Sequence, residues 1–205
     1  MSWRSVGCVG LVAIVALGAA VGGLGWATFG NNAKIEDQRV LPGGAVVLQD
    51  GYVSVFLVPL HEAGQPLGTY ALVDAGNDPS GAAIDRALTA RGAVRDDVRA
   101  VLLTHGHPDH VAACHGFEQA TIYVLRDELP LLRGEVAARG PLPRLFGASE
   151  SPCPTERMVG VEDGAAVPLG GDVVARVLAL PGHTAGSGAW WIDGVLYLGD
   201  AADGD

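Results

Sequence analysis

Residues 100–110 read Ala-Val-Leu-Leu-Thr-His-Gly-His-Pro-Asp-His, an apolar strand running straight into three histidines and an aspartate. A strand buried in a sheet fixes the loop that leaves it, so side chains on that loop stand at a rigid sheet edge, where a metal site can be built. His105 and His107, two apart in extended backbone, point the same way and are expected to share one metal ion. Asp109 and His110 turn with the start of a helix and face a second ion nearby. Nitrogen donors with one carboxylate suit Zn²⁺, and Fe²⁺ or Mn²⁺ accept the same set. Four ligand-type residues in so short a stretch are too concentrated for random decoration of an exposed loop.

Two later stretches repeat the pattern. Pro181-Gly182-His183-Thr184-Ala185-Gly186-Ser187 puts another histidine in a tight turn after a strand, and Leu198-Gly199-Asp200 ends an apolar run in a carboxylate. Upstream, Val73-Asp74-Ala75-Gly76 is a further strand that ends in an aspartate.

Taken in order, H-x-H-x-D-H, G-H-T-x-G-S and the strand-end Gly-Asp resemble the metallo-β-lactamase fold superfamily of metallohydrolases, and Asp74 matches its early strand-end aspartate. The resemblance runs from Val40 to Asp205. It implies an α/β fold, a four-layer αββα sandwich with the site at the sheet edges. It also implies that His105, His107 and His183 hold one metal, that Asp109 and His110 hold a second, and that Asp200 bridges the pair. Asp74 would orient a ligand histidine through its ring N–H. Two zinc ions per full-length chain are therefore expected, with iron or manganese as the other candidates. Asp109 is the catalytic candidate, steering a metal-activated hydroxide and relaying its proton. Family members carry one more histidine on the second metal, beyond the Gly-Asp motif, whereas here Asp205 follows Asp200 by five residues. The domain is accordingly read as incomplete at its C-terminus.

Aspartate at position 200, where the true β-lactamases with a sulfur ligand have cysteine, places the chain nearer the glyoxalase-II-like, lactonase-like and general hydrolase branches. His107 stands where the flavodiiron branch has a Glu-type ligand, which argues against an iron oxidoreductase. The expected activity is hydrolysis of an ester, thioester or lactone, a small-molecule substrate. The alternative is a non-catalytic, membrane-anchored metal-binding module whose second metal site is incomplete.

Composition bounds the rest. The net charge is −10, and residues 1–39 carry +1, so the remaining ten arginines against 21 acids put −11 on the body. No basic stripe exists to neutralise phosphates, so no nucleic-acid partner is expected. Three cysteines, at positions 8, 114 and 153, rule out a disulfide scaffold and a cysteine-rich zinc module. Cys114 and Cys153 read as buried free thiols, with pairing as the alternative if the body is exported.

The chain divides into a segment 1–33 and a domain 40–205. Ser5 to Ala33 is uncharged, and Val6 to Phe29 is an apolar run of 24 residues with Trp3 and Trp26 near its two ends. As a helix it spans roughly 36 Å, enough to cross a bilayer. It reads as an uncleaved transmembrane anchor, or else as a signal peptide cut near Gly18-Ala19-Ala20, and either way the body is expected to be extracytoplasmic. Within the body the expected strands are 45–49, 53–59, 70–73, 100–103, 121–125, 158–161, 173–180, 189–192 and 195–198. Helices are expected after Asp78-Pro79, over 111–117 and over 128–138, with a loop at 61–68 and a largely antiparallel sheet.

Overall fold

The first sheet is built from strands whose side chains alternate between two apolar faces. β1 (Val46–Asp50) turns at Gly51-Tyr52 into β2 (Val53–Glu62), and β2 pairs antiparallel with β3 (Gln65–Val73). β4 (Val98–Leu102), β5 (Thr121–Leu125) and β6 (Met158–Val161) then add in parallel, giving the order β1-β2-β3-β4-β5-β6. The second sheet is antiparallel, with β7 (Ala166–Gly170), β8 (Val173–Ala179), β9 (Gly188–Ile192) and β10 (Val195–Tyr197) in the order β10-β9-β8-β7. The computed structural model describes residues 34–137 and 151–201. The elements described here belong to one unit that begins at Ile35.

The period of two places one set of side chains in each of two cores. Leu72, Val101 and Ile122 point toward α1 (Ala82–Thr89), meeting Ile84, Ala87 and Leu88 on its apolar face. Their chain neighbours Ala71, Val73, Ala100 and Leu102 point the other way, against Val173, Ala175, Val177 and Trp190 of the second sheet. Among the described residues the layers are thus helix, sheet, sheet, three of the four layers of the α/β sandwich that the resemblance implies. The far face of the second sheet presents Val174, Leu178, Trp191 and Leu196 in exposed positions.

The parallel register decides where chemistry can sit. Because β3, β4 and β5 run the same way, their carboxyl ends line one edge, the usual place for a site in such sheets. The second sheet is tied to that edge directly, since the Trp190 indole N–H donates to Leu103 O at 3.0 Å and Gly188 N–H to Thr104 O at 2.9 Å.

Several expected elements differ in detail. The expected loop 61–68 is a tight hairpin, with Ala63 and Gly64 both at positive φ, so β2 and β3 run almost to meet each other. The expected helix 111–117 is a short α2 (Pro108–Val111) followed by a 3₁₀ turn at Cys114–Gly116. The expected helix 128–138 contracts to α3 (Leu129–Leu132), ended by Gly134 at φ 67°. β7 was not foreseen, because Pro168 reads against a strand and is tolerated here on a sheet edge. The first sheet is mixed rather than largely antiparallel. Cys114 and Cys153, read as free thiols, are joined in a disulfide within the core under α1. Among the described residues no helix is long and apolar enough to cross a membrane, and the segment 1–33 lies outside them.

Candidate metal centre

Each candidate ligand leaves the end of a strand. β4 delivers His105 and His107 on the loop, and α2 carries Asp109 and His110 in its single turn. β8 leads into Pro181–His183, and β10 into Asp200. Gly199 lets that last approach happen. It sits at φ 54°, and a Cβ there would run into the Thr104 side chain next to His105.

The histidines converge. His183 Nε2 lies 2.8 Å from His107 Nδ1, and the donor atoms of His105, His107 and His183 all fall within 4.8 Å of one another. His105, His110 and Asp200 form a second such group, sharing His105 with the first. Asp200 faces both groups: Oδ1 is 3.2 Å from His110 Nε2, and Oδ2 is 3.5 Å from His183 Nε2. Asp109 belongs to neither group. Its carboxylate accepts a hydrogen bond from the Tyr52 hydroxyl, at the turn between β1 and β2. The structure therefore brings five of the six expected site residues into two donor groups and holds the sixth beside them.

Asp74 orients His110. Buried at the end of β3, it accepts from Thr104 N–H and Oγ–H at 2.8 Å each, and from His110 Nδ1 at 2.9 Å. With Nδ1 committed to Asp74, Nε2 is the ring nitrogen that faces Asp200.

The electrostatics follow from crowding. Burial, with the charge of His110 and His107 beside it, pushes His105 down to about 2. Burial opposes charge on His110 as well, but Asp74 and Asp200 outweigh it and lift His110 to about 10. His110 in turn holds Asp200 down at about 2. Burial, then His183, lowers His107. Burial raises Tyr52, and the charges of Asp109 and Asp200 add to it.

These residues fit a divalent transition metal. The Nε2 atoms of His105 and His110 are buried without a hydrogen-bond partner, since Asp200 Oδ1 approaches His110 outside hydrogen-bond alignment. Buried nitrogens normally find a partner, and orphaned imidazole nitrogens converging on carboxylate and imidazole are what a metal ion would satisfy. His61 and His115 stand apart: His61 pairs with Asp193 at 3.1 Å, and His115 Nδ1 lies 3.2 Å from Ala112 O.

Two residues of this edge escaped the sequence reading. Tyr52 directly follows the turn Asp50-Gly51, and nothing local marks it as a neighbour of Asp109. Glu128 lies three residues past the end of β5, closing a 3₁₀ turn, and nothing local in the sequence marks it either.

A family model described as the metallo-beta-lactamase superfamily matches residues 51–202. Among solved structures, a subclass B3 metallo-β-lactamase from a soil metagenome library is 22% identical with a TM-score of 0.60, covering 75% of this chain and 57% of its own. The Rm3 metallo-β-lactamase is 25% identical with a TM-score of 0.59, covering 78% and 56%. A subclass B3 metallo-β-lactamase of Bradyrhizobium japonicum is 20% identical with a TM-score of 0.56, covering 78% and 58%. The chain thus spans less than three-fifths of the length of these three neighbours. No curated protein matches it.

Proposed function

The chain belongs to the metallo-β-lactamase superfamily, and on that premise we propose that it is a metal-dependent hydrolase of an ester, thioester or lactone. The observation that carries this reading is Asp200, whose two oxygens face a histidine of each donor group. In the proposed arrangement His105, His107 and His183 would hold one ion, His110 and Asp109 would contribute to a second, and Asp200 would serve both. Zinc suits the nitrogen-rich set best. When bound, divalent metal supplies Lewis-acid polarisation and a water acidic enough to react near neutral pH.

The chain's own residues do the rest. Asp74 keeps the His110 proton on Nδ1, so that Nε2 is the donor offered to the site. Asp109 would accept a proton and pass it to the leaving group, and its hydrogen bond with Tyr52 supports this reading by restraining the carboxylate. The Cys114–Cys153 disulfide supports placing the body in an oxidising compartment, outside the cytoplasm, delivered or tethered by the segment 1–33.

The second reading is a non-catalytic metal-binding module. It is favoured by one observation, that the second donor group borrows His105 and leaves Asp109 outside. The full-length protein, purified without chelator, should contain nearly two zinc ions per chain and hydrolyse members of a panel of p-nitrophenyl esters, thioesters and lactones. Metal without turnover would support the module, and turnover of a β-lactam alone would reassign the substrate. Protein with no metal and no turnover would overturn both readings.

A further inference from the structure

Glu128 is fully buried just past the end of β5, and among the described residues no arginine or lysine ion-pairs with it. Its two oxygens are divided between the two loops that carry the first donor group. Oε1 accepts from Gly106 N–H at 2.7 Å, the peptide between His105 and His107. Oε2 accepts from Thr184 Oγ–H at 2.8 Å and Gly186 N–H at 3.0 Å, in the turn that presents His183. Gly186 packs so tightly on the Asp127–Glu128 backbone that a Cβ there would overlap it.

A buried carboxylate without a cation is costly, and an apolar side chain of similar size would fill the space with less desolvation. Such a side chain would not accept hydrogen bonds from both loops. Burial raises the pKa of Glu128, while the Gly106, Thr184 and Gly186 donors pull it back. We infer that Glu128 is a positioning residue: by bridging Gly106 to Thr184 and Gly186 it sets the distance between His105/His107 and His183, and so the geometry of the first metal site. The inference rests on the metal-dependent reading above.

The bridge needs an acceptor at each end. Glutamine keeps one oxygen and turns an amide N–H₂ toward donors on the other loop, so one loop is released. Aspartate keeps the charge but is too short to span both loops. In a chelator-competition titration with zinc alone on the full chain, Glu128→Gln and Glu128→Asp should each bind the tighter zinc about 10- to 100-fold more weakly. The visible spectrum of the cobalt-substituted protein should change in both. Thr184→Val removes the hydroxyl that donates to Oε2, together with its 2.7 Å contact to Ser187 Oγ, and should weaken zinc several-fold in the same direction, which keeps a readout should the Glu128 variants fail to fold.

Wild-type affinity in Glu128→Asp would mean that charge near the metal matters and the bridge does not. Wild-type affinity and an unchanged cobalt spectrum in Glu128→Gln, or in Thr184→Val if only that variant folds, would likewise overturn the inference while leaving the metal site standing. A wild-type protein that takes up no zinc would overturn the metal-dependent reading, and this inference with it.

Discussion

One carboxylate decides which nitrogen of His110 is offered to the site. Asp74, held at φ 61° by the end of β3, accepts from Thr104 twice and from His110 Nδ1. Asp74→Asn retains the shape but presents an amide donor to one of these donors, so His110 loses its fixed tautomer. Metal content measured by elemental analysis should fall from near two toward one per chain, with affinity at the second site down by about 10- to 100-fold. At the other side of the centre, Asp109→Asn should cut turnover by roughly 10²-fold or more if Asp109 moves the proton. Tyr52→Phe removes only a restraint on that carboxylate, worth about 1 kcal/mol, so kcat should fall roughly fivefold. Equal losses in the two variants would deny Asp109 its own chemical part. The metal-free protein should also have a distinctive pH profile. His105 is depressed from 6.5 to about 2, so the folded state binds fewer protons than the unfolded one below 6.5, and stability falls on acidification. His110 is raised from 6.5 to about 10, so its contribution is complete below 6.5 and is lost as pH rises toward 10. Melting temperatures measured in chelator should therefore peak near neutrality and fall on both sides; a monotonic profile from pH 5 to 10 would refute this account.

At the scale of elements, strands were easier to read than helices for a physical reason. Apolar runs such as Val101-Leu102-Leu103 and Ile122-Tyr123-Val124 announce buried parallel strands in any context. β7 was hidden because Pro168 is acceptable only on an edge, and edge position belongs to the assembled sheet. α2 and α3 are single turns held by their surroundings, too short for any periodic signal. The hairpin at Ala63-Gly64 was masked by Ala63 at positive φ, a conformation its side chain does not advertise. The disulfide was equally illegible, since pairing depends on bringing Cys153 to the turn after α2 across a separation of 39 residues. It leads to a plain expectation: denatured, unreduced body should show no thiol reactive to a maleimide, and two after reduction. Cys153→Ser should lower unfolding free energy by about 2–4 kcal/mol, read from the denaturant midpoint.

For the whole molecule, the candidate site was legible in proportion to how local it is. His105, His107, Asp109 and His110 share one loop and could be grouped by spacing alone. His183 and Asp200 joined them only through a family resemblance, and Tyr52 and Glu128 only through the folded structure. Removing the metal should be felt globally, because the ligands come from both sheets. Saturating zinc, at about a thousand times its dissociation constant, adds roughly 4 kcal/mol, so chelation should lower the melting temperature measurably. The same wiring links two equilibria. The β4 loop supplies His105 and His107, α2 supplies His110, and His183 and Asp200 come from the second sheet, whose Trp190 and Gly188 hold it to the first. Whatever loosens that seam should also loosen the grip on an ion, and an ion in place should in turn clamp the seam shut.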